Sequence, residues 1–153
     1  MSTSPSGILT PSSVLFACTH NSIRSPMAEI IMKSLYGHKI YVDSAGIAAT
    51  DVDGFAIEVL DEIGLEGENH LSKNFENLED DSFDLIIALS PEARKVAEEF
   101  TKTMACDVEY WVTVDPSQVE GNREMRLNEY RHVRDDLYQK IKTRFATAPA
   151  PLV

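Results

Sequence analysis

Apolar positions change period several times along this chain, and each change marks a new element. Residues 13–18, Ser-Val-Leu-Phe-Ala-Cys, form a short apolar run of the kind that makes a strand buried on both faces. From Ser25 the spacing becomes helical. Met27, Ile30, Ile31 and Leu35 share one face, and Gly37 ends the pattern. Residues 38–46 hold a second strand and then a small-residue turn. Phe55, Val59, Leu60 and Ile63 predict an amphipathic helix stopped by Gly64. Residues 83–90 read as a third buried strand, and Pro91 suits the first turn of a helix running to about Thr101. Residues 107–114 read as a fourth strand. Leu127, Tyr130, Val133, Leu137 and Ile141 predict a long closing helix.

Strands that alternate with helices, and that are apolar without alternation, belong to parallel sheets covered on both faces. The predicted fold class is therefore α/β: a four-stranded parallel sheet with helices on both faces, a phosphate-binding loop after the first strand, and right-handed crossovers. One domain is expected over residues 13–145. Residues 1–12 and 146–153, rich in Ser, Thr, Pro and Ala, read as loose tails. Ligands of such folds bind beyond the carboxyl ends of the strands. Cys18, Ser44 and Asp115 each fall just after a predicted strand, so the topology should gather them at one edge of the sheet.

Composition narrows the partners. The length of 153 residues fits one domain able to bury a core without disulfides or metal. A net charge of -11 argues against nucleic acid or an anionic membrane as a partner, although a small anion held by a local nest of backbone donors remains compatible. Two cysteines, Cys18 and Cys106, make no disulfide framework, so a reducing cytoplasm is the expected compartment. No basic-then-apolar leader opens the sequence, and no run reaches membrane-spanning length. No His, Cys or acidic cluster has metal-ligand spacing, so neither metal nor cofactor is expected. The adjacent pairs Asp80–Asp81 and Asp135–Asp136 diverge on a helix and read as solvated faces, and His38 and His132 as structural or solvated.

The chemistry concentrates in Cys18-Thr19-His20-Asn21-Ser22-Ile23-Arg24. A cysteine after an apolar strand is by default a core residue. Here the strand turns at once into a helix, with Ser25 expected at the N-cap and Pro26 at the first helical position. Such a turn presents unpaired backbone N–H groups and the positive end of the helix, which together bind a tetrahedral oxyanion. The same field favours thiolate over thiol for a cysteine at its base. The planar fork of Arg24 could then bond two oxyanion oxygens. Asp115 precedes Pro116, which forces it into an extended conformation that can aim its carboxylate across the sheet edge. Alone, Asp-Pro is an ordinary turn and His70 an ordinary packed histidine.

The stretch Val14-Leu-Phe-Ala-Cys-Thr-His-Asn-Ser-Ile-Arg-Ser-Pro-Met-Ala-Glu29 resembles the phosphate-binding loop of the low-molecular-weight protein-tyrosine phosphatases, a family that shares its structure with thioredoxin-coupled arsenate reductases. Residues 42–46 (VDSAG), 70–73 (HLSK) and 114–117 (VDPS) resemble further family segments in the family's order. The resemblance implies that Cys18 is the nucleophile, Arg24 the transition-state clamp and Asp115 the general acid. It implies a substrate-binding loop of Thr19, His20, Asn21, Ser22, Ile23 and Arg24. It also implies a supporting network of Asn21, Ser25, Ser44 and His70, with Asn21 in a left-handed conformation that asparagine tolerates.

Three departures from the family pattern stand out. His20 stands where glycine is usual and could either face a leaving group or point to solvent. Ile23 replaces the second loop cysteine. Ser117 and Gln118 follow the Asp-Pro turn where many members carry aromatic residues that flank phosphotyrosine. The function implied is a phosphomonoester hydrolase of the low-molecular-weight protein-tyrosine phosphatase type, with a phosphocysteine intermediate on Cys18 and a phosphorylated protein or small phosphomonoester as substrate. Two alternatives stand beside it. An arsenate reductase would need further thiols, and that branch keeps its resolving cysteines after the third strand, where this chain has none. A non-catalytic phosphate-binding module would need neither nucleophile nor acid.

Overall fold

The computed structural model describes residues 11–79 and 82–146. Most of the tails assigned to residues 1–12 and 146–153 lies outside these, Ala146 being the C-cap of the last helix. Pro11 is buried, and Ser12 donates through both its backbone N–H and its hydroxyl to the Asp84 carboxylate.

Four strands, β1 (Ser13–Cys18), β2 (Tyr41–Gly46), β3 (Leu85–Ala88) and β4 (Asp107–Tyr110), form one sheet in the order β2-β1-β3-β4. All pairings are parallel. Helices α1 (Arg24–Tyr36), α2 (Gly54–Asp61), α3 (Pro91–Phe100) and α4 (Arg123–Phe145) connect and close it. The period of 2 in β1 divides the core. Val14, Phe16 and Cys18 pack on one face with Met27, Ile31, Tyr130, Leu137 and Ile141 from α1 and α4. Leu15 and Ala17 pack on the other with Ala93 and Ala97 of α3. A strand with both faces covered needs apolar residues at every position, and all six residues of β1 are buried.

Several element bounds are corrected by the pairing. The third strand is Leu85–Ala88, not 83–90, and Ser90 instead caps α3, its hydroxyl accepting from the Ala93 N–H. The fourth strand ends at Tyr110, not Val114. It is an edge strand whose only neighbour is β3, and Tyr110 pairs with Ala88, the last residue of that neighbour. Beyond it Trp111 makes one backbone bond to the Ala88 carbonyl and the chain leaves the sheet. The amphipathic pattern of α2 likewise stops at Asp61, before Ile63.

A buried arginine links the two helices that flank the site. Arg134 of α4 donates to the Val59 carbonyl and to Glu62, tying α4 to the end of α2. Arg131 adds contacts to Glu62 and Glu124. No helix among the described residues is long and apolar enough to cross a membrane.

Candidate active site

The loop from Cys18 to Ile23 is defined by where its carbonyls go. The Cys18 carbonyl accepts from Ile47 N–H, that of Thr19 from Ala48, that of His20 from Thr50, and that of Ser22 from Asp53. The Asn21 carbonyl accepts from the Ser72 hydroxyl, and that of Ile23 from Met27 N–H within the helix. Five consecutive carbonyls, Cys18 to Ser22, therefore bond outward to other segments. In a tight loop this leaves the amides to face the centre, which is the construction of an anion-binding nest. Asn21 makes the reversal at φ 50, the one positive φ at a non-glycine among the described residues. Gly46 allows the loop to lie against β2. A Cβ there would stand 2.6 Å from the Asn21 nitrogen and 2.7 Å from the His20 carbonyl carbon.

Helix α1 begins at Arg24, two residues earlier than its Ser-Pro sequence indicates, and no side chain caps it. Ser25 is thus inside the first turn and not at the N-cap. Its hydroxyl lies 2.8 Å from Cys18 Sγ and accepts from Asn21 Nδ2, which leaves its proton free to point at the sulfur. The Asn21 N–H donates to the same sulfur at 3.3 Å. Cys18 is 2 % exposed as a residue yet lines an open cavity, so its sulfur is approached from one side.

Behind the loop is a buried polar network. Asn21 Nδ2 also donates to Ser44 Oγ, and Asn21 Oδ1 accepts from Lys73 N–H. That oxygen can only accept, so His70 Nε2, at 3.2 Å, carries the proton toward it. Ser44 in turn donates to Glu29, a carboxylate 4 % exposed that also accepts from Lys33. His70 Nδ1 lies 3.5 Å from the same carboxylate. Burial pushes the His70 pKa below its ordinary value and outweighs the Glu29 charge, which pulls the other way. Ser44 sits inside β2, not after it as the sequence placed it, and reaches Asn21 because it pairs with Phe16 two residues before Cys18.

Arg24 donates through Nη1 to the Leu89 carbonyl and the Thr113 carbonyl, both at 3.2 Å. Asp115 does not directly follow a strand. It lies five residues beyond β4 and caps a 3₁₀ turn, Pro116–Gln118, with Oδ1 accepting from the Ser117 N–H and hydroxyl. Its backbone is extended, with φ -87 and ψ 104. Cys18, Arg24 and Asp115 line one cavity together with His20, Ser22 and Ile23. Thr19 turns away from it, its hydroxyl donating to Ser90 Oγ. The exposed His20 lies at the mouth, and the Ser22 hydroxyl donates to the Asp51 carbonyl.

Three residues of this region escape sequence reasoning. Glu29 has no role legible in the sequence, although its neighbours Met27, Ile30 and Ile31 and its i,i+4 partner Lys33 offer a signal. Thr50 and Asp53 also line the cavity. Asp53 accepts from the N–H groups of Phe55 and Ala56 at the start of α2 and from the Tyr130 hydroxyl. Its visible signal was that of a helix cap alone.

Residues 13–148 match the model of the family described as low molecular weight phosphotyrosine protein phosphatase. An arsenate reductase of Halalkalibacterium halodurans is 32% identical over 130 residues, covering 85% of this chain and 92% of the relative. Among solved structures, an arsenate reductase in the phosphate binding state superposes with a TM-score of 0.74 at 28% identity, covering 90% of this chain and 99% of the other. The tyrosine phosphatase Wzb from Escherichia coli K30 in complex with sulphate has the same fold, with a TM-score of 0.76 at 19% identity, 92% of this chain and all of the other being covered.

Proposed function

The chain belongs to the low-molecular-weight phosphotyrosine protein phosphatase family, and on that premise we propose that it is a cysteine-dependent phosphomonoester hydrolase. The observation that carries this reading is the loop whose carbonyls from Cys18 to Ser22 bond outward around Cys18 Sγ, with Asp115 on the same cavity. An oxyanion in the nest would lie against the sulfur, and the sulfur attacks phosphorus as the bond to the leaving oxygen breaks. The loop amides and Arg24 stabilise the equatorial oxygens. Asp115 gives its proton to the leaving oxygen and becomes the base for the second step. It then takes a proton from water as that water attacks the phosphocysteine, releasing phosphate and the Cys18 thiolate. The substrate is a phosphorylated protein or a small phosphomonoester.

Arsenate reduction is the second reading, favoured by the names of relatives at 30–33% identity. Reduction of arsenate bound to a cysteine needs thiols to deliver electrons, and within this chain Cys106 is the only other one. Burial, followed by the charges of Asp107 and Asp84, pushes the Cys106 thiol up to about 11, so it is a poor source of thiolate. It also lies at the amino end of β4, next to Asp107, which pairs with Leu85 at the start of β3.

The test is hydrolysis of 4-nitrophenyl phosphate in chelator, beside arsenate consumption with a thiol donor. The phosphatase reading expects turnover of the ester and its loss in Cys18→Ser, because a serine hydroxyl is not ionised near neutral pH. Arsenate turnover without ester hydrolysis would replace it with the second reading.

A further inference from the structure

Among the described residues, no Phe, Tyr or Trp lines the cavity that holds Cys18; its one ring is the exposed His20 imidazole at the mouth. Its lining beyond the loop consists of Thr50, Asp53, Asp115 and Ser117. Two carboxylates thus border a site whose floor is built for a phosphoryl dianion. Both act on one neighbouring group: the Tyr130 phenol is pushed up first by burial, then by the charge and hydrogen bond of Asp53, with Asp115 contributing further.

Asp53 is the carboxylate without a role in the chemistry. It is held in place from three sides. Its backbone N–H donates to the Ser22 carbonyl of the loop, its Oδ1 accepts from the first amides of α2, and its Oδ2 accepts from Tyr130 at 3.1 Å. A fixed carboxylate beside an anion site is costly for a substrate whose leaving group is neutral, because it must be desolvated or skirted without compensation. A neutral aromatic leaving group, moreover, would find no Phe, Tyr or Trp ring to pack on, only the exposed His20 imidazole. A leaving group with a positive charge reverses the sign of the Asp53 contribution.

We propose that Asp53 is a specificity-determining residue that selects phosphorylated substrates carrying an ammonium-type cation a few bonds from the phosphorus. The phosphate enters the loop, and the cation lies against the Asp53 carboxylate, Asp115 being the protonated acid at that stage. The inference rests on the phosphatase reading for its loop chemistry and adds the substrate class.

Two non-hydrolysable probes test it: 3-aminopropylphosphonate and butylphosphonate, which differ by ammonium for methyl. Each is measured as a competitive inhibitor of 4-nitrophenyl phosphate hydrolysis, in the wild type and in Asp53→Asn. Asparagine is also a good N-cap, so the variant keeps the start of α2. The readout is the ratio of the two inhibition constants within each protein, so a general change in activity cancels. The wild type should prefer the ammonium probe about fivefold, the factor expected of a partly exposed ion pair. Asp53→Asn should lower the ratio at least twofold, a change the probes' own ionisation cannot produce. In the wild type the ratio should also fall as salt rises from about 20 to about 500 mM, as the screening length shortens. A ratio near one, a ratio unchanged in Asp53→Asn, or a salt-independent ratio where that variant does not fold would overturn the inference and leave the phosphatase reading in place. Absence of ester hydrolysis in the wild type would overturn both.

Discussion

Nη1 of Arg24 donates to the carbonyl of Thr113 at 3.2 Å, so the guanidinium at the anion loop also holds the segment that leads to Asp115. The second bond of the same nitrogen, to Leu89, fixes it against the end of β3. One side chain therefore sets the spacing between nucleophile loop and acid.

Arg24→Lys tests this double role. Lysine keeps the charge but loses the planar fork. The expected fall in kcat is at least about 100-fold, the scale of one lost oxyanion donor. The loss should be larger for poor leaving groups than for good ones, because the Asp115 segment is loosened at the same time. Initial rates on a series of substituted phenyl phosphates check it. An equal loss across the series would limit Arg24 to anion binding.

Asp115→Asn keeps an oxygen for the Ser117 N–H and hydroxyl, so the 3₁₀ turn should survive. The proton is gone. Hydrolysis of phenyl phosphate should fall by about 10²–10⁴, the range for general acid catalysis, and hydrolysis of dinitrophenyl phosphate much less. If both fell equally, Asp115 would be a turn residue and no acid.

His70 makes stability depend on pH. Its folded pKa is depressed below 6.5 by burial, so below that pH the unfolded chain takes up a proton that the folded protein resists. The contribution is fully present above pH 6.5 and is lost as pH falls through the lower folded value. In His70→Gln the amide can still donate to Asn21 but does not titrate. Urea unfolding at a series of pH values below 6.5 should show a shallower loss of stability for the variant. Parallel curves would mean that His70 does not titrate differently in the two states.

Peroxide should inactivate the protein without forming a Cys18–Cys106 disulfide. Cys18 pairs with Gly46 at the carboxyl end of the sheet, whereas Cys106 precedes the start of β4. They are separated by about 16 Å along the strands and two strand spacings, about 10 Å, across them, far beyond the roughly 7 Å between Cα atoms that a disulfide spans. Ile23 offers no closer sulfur. Peptide mass spectrometry should find Cys18 as sulfinic and sulfonic acid after excess peroxide, with protection by phosphate in the loop. A Cys18–Cys106 disulfide that restores activity on reduction would contradict the fold described here.

The sequence by itself determined the class of fold and the position of the loop, because both are written in short-range patterns. An unbroken apolar run marks β1, the i, i+3, i+4 spacing marks the helices, and Cys18 through Arg24 carries its chemistry within seven residues. The tertiary structure decided what depends on partners distant in the chain. Residues 111–114 have the composition of a strand, but β4 has only β3 to pair with and ends where β3 ends. Glu29 becomes a buried network carboxylate only because Ser44, His70 and Lys33 close around it. Asp53 reads as a helix cap until the bond from its N–H to Ser22 sets it beside the loop. Gly46 is required because β2 and the loop approach so closely that a Cβ would overlap the Asn21 backbone. Local periodicity is fixed by the covalent geometry of each residue. Burial, pairing and charge at a site are fixed only by which distant segments meet there.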